Sequence, residues 1–126
     1  MKRFIFLMLA GLSFNSFAHD YSGVLPAEAS ATDFLAVSCD ADGDMIPDKM
    51  YFKISSSDAM PLISAQVAKG NFATTITPSR GGVEIYQGQG QYRITVDKNG
   101  VGIVSYSIEY HCESGGNHTE TTITRY

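Results

Sequence analysis

The sequence has no block of like charge, no basic excess and, beyond its first segment, no long apolar run. Lysine and arginine number 9 against 13 aspartates and glutamates, a formal net charge of −4. The electropositive footprint that nucleic acid requires is therefore missing, and no charge run suits an anionic membrane surface. Neither G-x-S-x-G nor H-E-x-x-H occurs, so the common serine- and zinc-hydrolase signatures are lacking. No stretch holds a sustained helical period, and no repeat or low-complexity tract is present. What these absences leave is an acidic, helix-poor chain expected to bind rather than to catalyse.

The opening "MKRFIFLMLAGLSFNSFAHDYSG" supplies two of the few cations, Lys2 and Arg3, ahead of the apolar run Phe4 to Leu12. That run is too short to span a bilayer. Ser16-Phe17-Ala18 presents small residues where a signal peptidase reads them, so residues 1–18 are expected to be a signal peptide cleaved after Ala18. The mature chain would then be exported, periplasmic or secreted, more acidic still, and without a membrane span. Its two cysteines, Cys39 and Cys112, are an even count in an oxidising compartment, which favours a disulfide over a zinc site.

Residues 19–32 are small and polar and read as an irregular lead-in to a single domain over 33–126. From there the pattern has period two, the mark of half-buried strands. Leu35, Val37 and Cys39 share one face of 33–39; Met50, Phe52 and Ile54 face inward from 49–55, with Tyr51 and Lys53 outward. Ile63, Ala65 and Val67 follow, then Tyr92, Ile94 and Val96. Further strands are expected over 71–77, 83–86 and 119–125. The longest alternation, "VGIVSYSIEYHC", puts Val104, Tyr106, Ile108, Tyr110 and Cys112 on one side and Ser105, Ser107, Glu109 and His111 on the other. Two inward cysteines on separate strands describe a bridge between two sheets. Glycine and Asn-Gly turns separate the segments, with "DKNG" (97–100) the strongest hairpin signal. The expected fold is all-β, a small jelly-roll or immunoglobulin-like β-sandwich with one inter-sheet disulfide, Cys39–Cys112.

From about Val83 to Tyr110, the run "GQGQYRITVDKNGVGIVSYSIEY" resembles the close of bacterial pre-peptidase C-terminal domains. Gly90, Tyr92, Ile94, Val96, Tyr106 and Ile108 stand at the pattern's positions, and "ATDFLAVSC" is similar to the Asp-Phe strand that opens such domains. The resemblance implies a jelly-roll-like sandwich serving as a binding or processing module. The core cysteine pair is a departure from that pattern.

"DADGDMIPD" (40–48) is similar to the calcium loops of thrombospondin type 3 repeats. Carried over, the resemblance makes Asp40, Asp42 and Asp44 side-chain ligands, Ile46 a carbonyl ligand, and Asp48 a direct or water-mediated one. Calcium suits such a set because it is a hard cation that takes six to eight oxygens. Met45 replaces the glycine of the sharp turn, and Tyr51 stands where a bidentate acid completes the shell. Both departures weaken the site, to dissociation constants of roughly 10⁻⁴ to 10⁻³ M. The bland alternative is a solvated acidic turn.

Three histidines follow the signal segment: His19, His111 and His118. After cleavage His19 becomes the amino terminus, and its amine and imidazole could hold Cu(II) with His111 or His118 as partner. The sequence therefore leaves three expectations. These are an exported accessory module with weak calcium at 40–48, a periplasmic copper carrier, and a ligand-free inhibitor or structural protein. The outward aromatics Tyr51 and Tyr86 suit a protein or polysaccharide partner, which the sequence does not identify.

Overall fold

A computed structural model describes residues 19–126; the expected signal peptide and its cleavage site lie outside the described residues. In chain order the strands are β1 (His19–Leu25), β2 (Asp33–Asp40), β3 (Lys49–Ser56), β4 (Ile63–Lys69), β5 (Phe72–Ile76), β6 (Val83–Ile85), β7 (Gly90–Lys98), β8 (Val104–Ser114) and β9 (Asn117–Arg125). One turn of 3₁₀ helix, Pro78–Arg80, precedes β6. No helix among the described residues is long and apolar enough to cross a membrane.

All pairings are antiparallel and run β5-β4-β7-β2-β9-β8-β3-β6, with β1 added to β8. This sheet curls into two layers because β9 serves both. Its start pairs with β8 (Cys112↔Thr119), and from Glu120 it pairs with β2 (Cys39↔Thr121). Where β9 peels away, the Cys112 N–H would lose its ladder partner; it donates instead to Thr121 Oγ1 at 3.0 Å. That hydroxyl in turn donates to the Thr119 carbonyl.

The alternation seen in the sequence becomes the core. Leu35, Val37, Tyr92, Ile94 and Val96 from one layer meet Met50, Phe52, Ile54, Ile108 and Tyr110 from the other in a single buried cluster. Cys39 and Cys112 are fully buried and disulfide-bonded, with Cα atoms 5.6 Å apart. The expected all-β, sandwich-like fold with that bridge is present.

Two features differ from expectation. Residues 19–25, expected as irregular lead-in, form β1 against β8. Gly23 masks the alternation there but is needed, since a Cβ at 23 would sit 2.5 Å from the Tyr106 ring. Second, "DKNG" is not a hairpin: β7 lies between β4 and β2, whereas β8 lies in the other layer. Residues 99–103 are a crossover. Asn99 and Leu62 tie it to the 57–62 loop by exchanging two hydrogen bonds of 3.0 Å. Gly102 N–H donates to the Ala27 carbonyl at 2.8 Å. Lys98 turns inward, and its ammonium donates to the carbonyls of Pro26 and Gly102. The true tight hairpins are at Gly70, between Lys69 and Phe72, and at Gly115-Gly116, between Ser114 and Asn117. Gly115 and Gly116 have φ of 55° and 89°, the left-handed pair that a two-residue turn requires.

Asp33 shares the inward face of Leu35 and Val37 and is only 4% exposed. It accepts the Tyr106 hydroxyl at 2.5 Å and the Arg125 guanidinium at 3.0 Å. A carboxylate that loses its water needs such partners to remain charged.

Candidate functional site

Period two and one tight turn assemble the site. His111 and Glu113 lie two apart on β8, on the outward face opposite the buried Cys112. The Gly115-Gly116 turn folds β9 back so that His118 stands directly opposite Glu113. Side chains on one face of facing strands lie within contact distance. The ligand atoms of His111, Glu113 and His118 consequently lie within 4.8 Å of one another. Among the described residues no other three histidine, cysteine or acidic side chains converge in this way.

The corner is ordered by packing. The His111 and His118 rings stack at 4.4 Å, and Tyr51, opposite His111 on β3, stacks on its other face at 4.8 Å. Glu113 Oε2 lies 2.6 Å from His111 Nε2 and 4.0 Å from His118 Nε2. The buried Nδ1 of His111 has no hydrogen-bond partner, so one nitrogen of that ring is uncommitted although covered by its neighbours. Two imidazoles and a carboxylate are a donor set suited to copper or zinc, and metal bonds of about 2 Å need only a modest inward rotation of these side chains. The residues fit such an ion.

Burial first, and the neighbouring His111 second, push the His118 imidazole below the ordinary histidine range, against an opposing pull from Glu113. His118 thus keeps a free lone pair at neutral pH. In the metal-free protein its NMR titration should have a midpoint below the ordinary value of ~6.5. The folded state resists this proton and the unfolded chain accepts it. The associated stability is thus complete above about 6.5 and is lost as pH falls toward the folded midpoint. A midpoint above the ordinary value would mean that Glu113, not burial, governs the ring.

The acidic loop takes a different shape from the one its motif implies. Asp42 and Met45 exchange two backbone hydrogen bonds, 2.9 and 3.0 Å, around Gly43-Asp44, with Gly43 at φ 62°. No three of the carboxylates of Asp40, Asp42, Asp44 and Asp48 converge. Asp48 instead braces the hairpin: its N–H donates to the Glu113 carbonyl at 2.8 Å, and its own carbonyl accepts the Gly88 N–H. The loop thereby positions β8 beneath the histidine corner.

Of the copper set, His111 and His118 come together and His19 stays outside the cluster, stacked on Tyr110 at 5.5 Å. The sequence reading omitted Glu113 and Lys49. The signal for Glu113 was legible: "HCES" puts it beside His111, and "SGGN" puts His118 across from it.

No family model matches the sequence, and no curated protein matches it. Among solved structures, the chain is similar to the Yersinia pseudotuberculosis-derived mitogen, with a TM-score of 0.53 and 9% identity, over 81% of this chain and 93% of that one. At that identity the likeness is one of fold.

Proposed function

We propose that this chain is an exported, non-catalytic binding protein whose corner of His111, Glu113 and His118 captures a divalent transition-metal ion. The convergence of those three donors on one hairpin carries the reading. Imidazole nitrogen favours Cu(II) most strongly and Zn(II) next, whereas calcium prefers an all-oxygen shell that this corner does not offer. The reading keeps copper from the sequence but replaces His19 with Glu113. The disulfide and the lack of a membrane-spanning helix among the described residues are compatible with a periplasmic or extracellular location.

Thermal unfolding tests it. Copper or zinc at a hundredfold excess over its dissociation constant should stabilise the protein by about 2.7 kcal/mol. For a domain of this size that raises Tm by roughly 10 °C or more. His118→Ala and Glu113→Gln, both outside the core, should abolish the rise while leaving the metal-free Tm nearly unchanged. Calcium should produce no comparable shift. Equal shifts in wild type and His118→Ala would overturn the assignment.

A further inference from the structure

The carboxylate at the centre of the corner has a second cation within reach. Lys49 stands opposite Glu113 in the β3–β8 register, with Nζ 3.6 Å from Glu113 Oε1. The same ammonium lies 3.0 Å from Glu84 Oε2 on β6. The Tyr86 hydroxyl donates to the other Glu84 oxygen at 2.9 Å, and the Tyr86 ring lies under the ammonium at 5.3 Å. Three strands therefore present a row of alternating charge, Glu84, Lys49 and Glu113, with the neutral His118 imidazole beyond it on β9. Lys49 touches both anions at once, hydrogen-bonded to Glu84 outside the corner and in a looser ion pair with Glu113 inside it.

We propose that Lys49 is a built-in competitor for the metal, neutralising Glu113 before the ion enters and retreating to Glu84 when it does. This inference rests on the metal-binding reading above and says what kind of site it is. Here the entering ion must displace an ammonium from its carboxylate and then sit near it. The retained repulsion lowers affinity and speeds release, which suits a protein that takes up and hands over its ion. Glu84 makes the exchange workable because it offers the displaced ammonium a ready partner, already oriented by Tyr86.

The test is metal titration against a chromophoric chelator, with copper or zinc alone as the probe. Removing one positive charge roughly 6 Å from a divalent ion, at the dielectric of bulk water and with physiological salt screening, should tighten binding about three- to tenfold. Lys49→Met is therefore expected to bind more tightly than wild type and to release metal more slowly by a similar factor. Glu84→Gln removes the retreat and leaves the ammonium to Glu113, so it should weaken binding about threefold, with Lys49→Arg close to wild type. Opposite signs at Lys49 and Glu84 are the signature, since simple loss of local structure would weaken both. If wild type binds metal and His118→Ala does not, yet Lys49→Met binds no more tightly than wild type, the competitor role is wrong and the metal site stands. If wild type binds neither ion, the metal site itself is wrong and the competitor falls with it.

Discussion

Replacing Cys39 and Cys112 together by alanine is expected to lower stability by about 4 kcal/mol at 25 °C, because the bridge closes a loop spanning a sequence separation of 73. That is a large share of the roughly 5–15 kcal/mol typical of a domain. By the scaling for small domains it lowers Tm by about 15 °C or more. Both sulfurs are buried, so two alanines also leave a small void, which adds to the loss. The native contacts that remain are the β9 pairings on either side of the bridge: Cys39 faces Thr121 and Cys112 faces Thr119. The double variant should therefore keep its strand content in far-ultraviolet circular dichroism at low temperature. Equilibrium urea unfolding gives the number; a loss below about 1 kcal/mol would mean that the unfolded chain is restrained by something other than the bridge.

Tyr106→Ala is the second large effect, expected at about 5 kcal/mol, enough to leave the domain marginal. Truncating a buried aromatic costs roughly 3–5 kcal/mol. Here the ring also covers Gly23 and donates its hydroxyl to a carboxylate that is itself buried. Losing that bond leaves Asp33 with Arg125 alone, and the Arg125 side chain is 56% exposed. Tyr106→Phe separates the two contributions. It keeps the ring and removes only a hydrogen bond to a charged group, worth about 1.5–3 kcal/mol. Should Tyr106→Phe cost as much as Tyr106→Ala, the hydroxyl and not the packing would hold this end of the sandwich.

The alternation of Val104, Tyr106, Ile108, Tyr110 and Cys112 was readable because period two is a local property of a half-buried strand. The cysteine pairing was readable because two inward thiols in one domain leave a single possible pairing. What could not be read is which strands lie beside which. "DKNG" has hairpin chemistry, yet Lys98 is drawn inward by carbonyls of the 26 and 102 segments, and the chain crosses layers there. Period two already turns Asp33 inward; what no local pattern states is how a buried carboxylate is satisfied there, by Tyr106, 73 residues later in the facing layer, and by Arg125. The site followed the same division. His111 was placed outward correctly, while the acidic loop drew attention through its motif and Glu113 drew none. Lys49 belongs to the corner solely through the β3–β8 register, which no local pattern states.

Because β9 stitches both layers, the order of synthesis constrains when this protein can become a closed object. Until residues 117–125 have emerged from the ribosome, β2 has no neighbour on that side and the hinge end of β8 is bare. A nascent chain in that condition offers two open ladders to any passing strand. Closure must follow translation of the last strand, so a chain cut short before residue 117 should aggregate rather than fold in part.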